Sequence, residues 1–235
     1  MAEIEFHEFN SREELAKALA KTIAGKLIPD IEIGQFASLA LSGGSTPKLF
    51  LNQLGPMLGE MSEMIYFALV DERFVPIHDP RSNEGMIKKE LGLDNHPSSE
   101  FLSLYAKNSK PEEVAKRAEA RLLDDDELPF DVLVLGMGVD GHTASFFPGA
   151  TNLTKACDPN AEVLFQAITE PTSNEPRITM TLPVIASAKY LVLHIEGSEK
   201  REVFEKAMAD GDADELPIRH VLRHHDAKLQ VYWAP

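Results

Sequence analysis

Residues Val132–Gly149 read VLVLGMGVDGHTASFFPG. The opening run, Val132–Leu135, is short, wholly apolar and half β-branched. That is the pattern of a strand buried on both faces of a parallel sheet. It empties into a loop holding three glycines, one aspartate and one histidine. Open α/β sheets place ligands at the carboxyl ends of their strands. The stretch therefore predicts an α/β fold and an active-site edge, with His142 as the first candidate for chemistry.

Gly136, Gly138 and Gly141 also spell G-x-G-x-x-G, a dinucleotide-binding pattern. The spacing argues against that use. The pattern wants an acidic residue about 20 positions on, at the end of the next strand. Here the next strand is expected at Val163–Ile168, and the acid behind it, Glu170, comes too late. A plainer alternative is a structural turn in which His142 only satisfies a backbone carbonyl. Three further segments argue against it.

Outward from this stretch, strands and helices alternate. Ile4–Phe9 reads as a strand, and Asn10 or Ser11 caps a helix through about Leu27. Phe36–Leu41 is a strand, and Pro47–Leu54 a helix with proline in its first turn. Ile65–Val70 is a strand, Asn83–Leu91 a short helix and Pro111–Leu123 an amphipathic helix. The acidic run Asp124–Glu127 reads as a solvated loop. Ile178–Leu182, Tyr190–Ile195 and Leu229–Trp233 are strands, and Ser198–Met208 is a helix capped by Ser198. Such alternation implies a mostly parallel sheet with both faces covered. No repeat, linker or boundary divides the chain, so residues 1–235 are expected to form one domain.

Composition narrows the partners. Twenty-three basic against 38 acidic residues give a formal charge of −15, which repels nucleic acid and anionic membranes. The same charge repels a small anion at long range. A phosphate site must then be built locally from a few placed cations and backbone N–H groups. Cys157 is the single cysteine, so no internal disulfide forms and a reducing cytoplasm is expected. Cys157 itself reads as a small residue of a polar loop. The N-terminal segment has no basic region followed by an apolar core, so no secretory leader is expected. No apolar run has the length of a membrane span.

The first supporting segment is Leu41–Pro47, LSGGSTP. Gly43 and Gly44 let the backbone approach a ligand, while Ser45 and Thr46 supply hydroxyl donors ahead of a helix start. The G-K-[ST] ending of a nucleoside-triphosphate loop is missing, so a phosphomonoester fits better. The second is Val70–Arg73, VDER, at a strand's carboxyl end. Arg73 suits a phosphate or a carbonyl, and Asp71 and Glu72 can orient Arg73 or His142. Asn83 can donate to a ligand or cap a helix. The third holds Arg177, after Pro176, and Lys200 in the first turn of a helix. A cation there opposes the helix dipole unless an anion joins it. His194 reads as a core or edge histidine. The spacing of His220, His224 and His225 could suit a metal, but no carboxylate or cysteine completes the pattern.

Together these segments resemble the 6-phosphogluconolactonase family, a branch of the glucosamine-6-phosphate deaminase-like superfamily. The matching stretches are LSGGSTPKLF (41–50), VDERFVP (70–76), SNEGM (82–86), LVLGMGVDGHTASFFPG (133–149) and PRITMTLPVIASAKYLVLHIEGSEK (176–200), with a similar tail at Leu216–Trp233. The resemblance implies a Rossmann-like three-layer α/β/α sandwich of the NagB/RpiA-like kind. It implies hydrolysis of 6-phospho-D-glucono-1,5-lactone to 6-phosphogluconate in the oxidative pentose phosphate pathway, with no metal or organic cofactor. Where the family commonly has tryptophan or a cysteine-like residue after D-E-R, this chain has Phe74, a packing difference.

The catalytic residues expected are His142 as general base, Asp140 as its orienting partner and Arg177. Gly43, Gly44, Ser45, Thr46, Asp71, Arg73, Asn83 and Lys200 are expected to bind substrate and its phosphate. The partner is a small phosphosugar lactone, and the chain is expected to be a monomer or weak homodimer. Two alternatives are an amino-sugar phosphate deaminase and a non-catalytic sugar-phosphate sensor. The deaminase branch resembles G-x-D-G-H-I-A-F-N-E-P, with a glutamate where this chain has Phe147. Ring opening and proton transfer at carbon need that carboxylate, and lactone hydrolysis does not. The sensor is disfavoured because no DNA-binding helix pair is legible and His142 is retained.

Overall fold

The computed structural model describes residues 3–125 and 127–235. Its main sheet has seven strands, all paired in parallel. In spatial order they are β1 (Ile4–Glu8), β10 (Leu229–Ala234), β9 (Tyr190–Glu196), β6 (Val132–Leu135), β2 (Ala37–Leu41), β3 (Ile65–Leu69) and β5 (Glu100–Leu102). From β2 the chain builds outward through β3 to β5. It then returns to place β6 on the other side of β2 and builds through β9 to β10. The order thus reverses between β2 and β6, and the two loops leaving that point diverge and open a crevice. The central strands are buried at every position, as the apolar runs require.

Helices flank this sheet. On one side α1 (Arg12–Glu32) packs on α2 (Lys48–Leu58), which packs on α3 (Asn83–Leu91). The Ser11 hydroxyl caps α1 by accepting from the Glu14 N–H at 3.2 Å. Both α1 and α2 run beyond their expected ends, past Pro29 and Pro56. The buried faces explain this. Leu27 and Ile31 continue the apolar stripe of α1, and Leu54 and Leu58 that of α2, so packing outweighs the missing N–H. The helix α4 (Pro111–Asp124) absorbs the first residue of the acidic run. Asp126 lies outside the described residues. Short helices α5 (Leu153–Ala156), α6 (Leu182–Ala186) and α8 (Ile218–Arg223) and the longer α7 (Ser198–Met208) complete the set. The cap position of α7 is Gly197, with φ of +89°, and not Ser198 as the sequence suggested. Cys157 is buried behind α5, not part of a polar loop, and burial pushes its thiol up. Among the described residues no helix is long and apolar enough to cross a membrane.

A second, antiparallel sheet was not expected. It holds β4 (Asp71–Arg73), β8 (Pro176–Met180) and β7 (Phe165–Thr169). The strand expected at Ile178–Leu182 starts two residues earlier, and Leu182 opens α6 instead. Val70 joins the two sheets. Its N–H donates to Leu41 in the main sheet, and its carbonyl accepts from the N–H of Met180, the last residue of β8 in the small one. The chain therefore passes from β3 to β4 without a loop and carries Asp71–Arg73 to the mouth of the crevice.

Glu72 anchors this passage. Its side chain is buried, and its two oxygens accept from four donors at 2.7–2.9 Å: the backbone N–H groups of Arg73, Asn83 and Glu84, and the Ser82 hydroxyl. Two of these are orphan N–H groups of the first turn of α3. Burial pushes the Glu72 carboxyl up, to about 7, while these bonds pull the other way. Three N–H donors and a hydroxyl aimed at its oxygens stabilise the ionised form against the cost of burial. Glu72→Gln turns an amide NH2 toward N–H donors. An unsatisfied buried donor costs about 1–3 kcal/mol, and each kcal/mol lowers the melting temperature of a chain this size by roughly 2–4 °C. A thermal melt of Glu72→Gln within one degree of wild type would show that this carboxylate does not hold β4 to α3.

Candidate active site

The loop after β2, the loop after β6, the start of β4 and the first turn of α7 converge on the crevice. They enclose an open cleft of about 660 Å³. Every residue expected from the sequence lines this cleft except Asp140, which instead bonds to one that does. Residues separated by up to 157 positions, Gly43 to Lys200, are therefore brought to one place.

His142 is held in a tight loop. The Gly138 N–H donates to the His142 carbonyl at 2.8 Å, and the Gly141 N–H to Gly138 at 3.0 Å. The Thr143 hydroxyl ties the loop to the Gly136 carbonyl at 2.8 Å. His142 Nδ1 lies 2.5 Å from Asp140 Oδ1. An ionised carboxylate can only accept, so Nδ1 carries the hydrogen and Nε2 is left as the basic nitrogen of the neutral ring. Burial pushes the Asp140 carboxyl up, but its hydrogen bonds from the His142 side chain and backbone outweigh this and hold it below the ordinary range. Gly138 is required by contact. A Cβ there would lie 2.3 Å from His142 Nδ1 and Cε1 and 2.5 Å from Asp140 Oδ1. Of the glycines that mimic a dinucleotide loop, Gly138 thus accommodates an imidazole.

The opposite wall is cationic. Lys200 Nζ donates to Thr46 Oγ1 at 3.0 Å, and partial burial pushes its ammonium down. The α2 start has no side-chain cap, so Thr46 is free for this bond. Gly44 has φ of +96°, and Gly43 leaves room for Asn83, whose Oδ1 would lie 1.9 Å from a Cβ at position 43. Arg73 donates through one Nη to the Arg81 carbonyl at 3.1 Å and to Asn83 Oδ1. Asn83 donates its amide N–H inward, to the Asp71 carbonyl at 2.8 Å, while Ser82 takes the cap position. Its side chain braces the wall.

Arg73 and Arg177 stand directly opposite each other on β4 and β8. Like charges so placed repel. Burial pushes the Arg177 guanidinium down, with nearby Asp71 pulling up and Arg73 adding to the fall. Its carboxylate contacts are long, 3.6 Å to Asp71 and 3.4 Å to Glu175. Paired guanidiniums with few short bonds are suited to an anion or a developing negative charge.

Asp71 and Glu72 do not orient His142 or the Arg73 guanidinium, as the sequence allowed. Asp71 accepts from the fully buried Ser145 hydroxyl at 2.6 Å and faces Arg177. The sequence did not single out Ser145 or Glu175; the position of β4 brings Asp71 to Ser145, and Glu175 lies beside Arg177 at the start of β8. Phe147 packs on His142 and Arg177. His194 is a core histidine with Nε2 3.1 Å from Glu196, and its Nδ1 has no partner among the described residues. His220, His224 and His225 turn to separate partners, Asp214 and the carbonyls of His220 and Ala227.

A doubly flanked parallel sheet with a histidine–carboxylate pair facing a cationic wall at its topological switch defines an α/β protein built to act on a small anionic ligand. Residues 10–233 match the family described as glucosamine-6-phosphate isomerases/6-phosphogluconolactonase. A 6-phosphogluconolactonase of Rhizobium meliloti (strain 1021) is 44% identical over 229 residues, 97% of this chain and 98% of that one. The crystal structure of a 6-phosphogluconolactonase from Shewanella baltica OS155 superposes with a TM-score of 0.89 at 32% identity, covering 99% of this chain and 98% of that chain. A monomeric glucosamine-6-phosphate deaminase shares the fold, with a TM-score of 0.73 at 20% identity over 98% of this chain and 97% of that one. The chain belongs to the glucosamine-6-phosphate isomerase/6-phosphogluconolactonase family.

Gly138→Ala forces its methyl group into the His142–Asp140 pair. With the fold intact by circular dichroism, turnover is expected to fall by about 10²-fold, the cost of misplacing a reacting group by about 1 Å. Wild-type turnover in this variant would mean that the loop yields and the imidazole position is not set by Gly138.

Proposed function

We propose that this chain is a 6-phosphogluconolactonase that hydrolyses 6-phospho-D-glucono-1,5-lactone with His142 as general base. The observation that carries this reading is the imidazole whose Nδ1 is fixed by Asp140 while Nε2 has no hydrogen-bond partner among the described residues, in a cleft whose other wall is Lys200, Thr46 and Arg73. The 6-phosphate sits against Lys200, Arg73, Ser45, Thr46 and the Gly43–Gly44 backbone. That places the lactone ring toward His142 and Arg177. Nε2 takes a proton from water as its oxygen adds to the lactone carbonyl. Arg177, its charge poorly compensated by long contacts, meets the oxyanion. The bond from the carbonyl carbon to the ring oxygen then breaks, and the imidazolium returns the proton to that oxygen. The product is the open acid, which ionises.

The deaminase alternative lacks a group it needs. At the position of that branch's glutamate stands Phe147, buried against the two reactive side chains. The whole chain works as one domain, as a monomer or weak homodimer in the cytoplasm. One purified sample tests the reading in two assays. Acid release from fresh 6-phosphogluconolactone, above spontaneous hydrolysis, supports it. Ammonia release from glucosamine 6-phosphate without lactone turnover overturns it.

His142→Ala is expected to lower kcat by ~10²–10⁴-fold with KM little changed, since a general base contributes that much. A near-normal kcat after background subtraction would falsify the assignment. Lys200→Ala and Arg73→Ala remove charge-assisted hydrogen bonds of roughly 1.5–3 kcal/mol, about ten- to a few hundredfold in affinity. The loss appears as reduced preference for the phosphorylated lactone over plain gluconolactone. Retention of the wild-type preference in both variants would show that these cations do not hold the phosphate.

A further inference from the structure

Phe147 touches both reactive groups of the cleft. Its ring centroid lies 4.4 Å from that of His142, tilted by 34°. The Arg177 guanidinium carbon lies 4.9 Å from the same centroid. The ring is 7% exposed. Its backbone is fixed in consecutive turns, with the Phe147 N–H donating to Ser145 and its carbonyl accepting from Ala150.

Arg177 needs such a support. Its side chain is 11% exposed, its one hydrogen bond is 3.4 Å long, and its Nε has no partner among the described residues. Arg73 opposite pushes it away. The negative face of an aromatic ring attracts a desolvated guanidinium without consuming its N–H donors. His142 is constrained at Nδ1 by Asp140 and along one edge by Gly138. The tilted contact with Phe147 limits the remaining motion, rotation of the ring out of its plane.

We propose that Phe147 is a positioning residue for lactone hydrolysis, setting the spacing of the His142 imidazole and the Arg177 guanidinium through one rigid ring. The proposal rests on the lactonase reading above. Base and oxyanion donor must both come within about 3 Å of atoms bonded to one carbon, and a shared ring fixes their separation. An aliphatic side chain fills the same volume but has no π face for Arg177, leaving that group free to drift toward Asp71 or Glu175. The charged groups that face His142 are Asp140 on its own loop, Asp71 and Arg73 from β4, Arg177 from β8 and Lys200 from α7.

The test compares wild type, Phe147→Leu and Phe147→Tyr, each first shown to be folded by circular dichroism and a thermal melt. Phe147→Met replaces the leucine variant should that one not fold. Phe147→Leu is expected to lower kcat by about ten- to a hundredfold. Its KM for 6-phosphogluconolactone should change by less than about threefold, because the phosphate contacts are intact. The limb of the pH–kcat profile that reports His142 should also move. Phe147→Tyr should restore both kcat and the limb. A lower melting temperature with kcat, KM and pH profile unchanged in Phe147→Leu would overturn the proposal, as would equal loss in the tyrosine and leucine variants. Absence of lactone turnover in the wild type removes the underlying reading instead, so the two failures are distinguishable.

Discussion

The reversal of strand order between β2 and β6 is the constraint on which the rest depends. Two neighbouring parallel strands end side by side, in register at Leu41 and Val134, and their chains must leave in opposite directions. Nothing can close the gap between them without burying unpaired backbone. The sequence fills its two sides with different chemistry. One departing loop is small and hydroxyl-rich, and the other carries His142 and Asp140. Parallel pairing of β9 beside β6 then delivers the first turn of α7, with Lys200, to the same crevice.

The cleft collects positive charge on a chain of formal charge −15. Among the described residues Arg73, Arg177 and Lys200 have no short carboxylate partner, whereas a surface cation such as Arg201 is paired closely with Glu8 and Glu205. The neutralising groups that do approach are held back by other bonds. Asp71 is committed to Ser145, and Glu72 is turned away to the start of α3. This leaves donors available to a phosphate and to a carbonyl oxygen. Charge so concentrated acts at short range, inside a surface whose overall field opposes an anion.

Much of this was legible in the residues. The buried strands announced themselves as short apolar runs, and the β2 and β6 loops by glycines and polar groups at strand ends. Lys200 was legible as a cation at the wrong end of a helix. The helix ends were less so. The α1 and α2 helices continue past prolines because tertiary burial of Ile31 and Leu58 outweighs a local penalty. The small sheet was illegible. Its strand β4 is three charged or polar residues, which carry no period, and its partner β8 lies more than 100 positions away.

By itself, then, the sequence determined the class of fold, the strands that would be buried and the identity of nearly every side chain in the cleft, because hydrophobic period and turn chemistry are local properties. Only the tertiary structure decided how those side chains are used. It set Arg73 against Arg177 across an antiparallel pair, turned Glu72 inward while Asp71 stayed at the mouth, and seated His142 and Arg177 on one phenylalanine ring. These relations depend on register between strands distant along the chain. Register is settled by the packing of the whole core, which no short window of residues records.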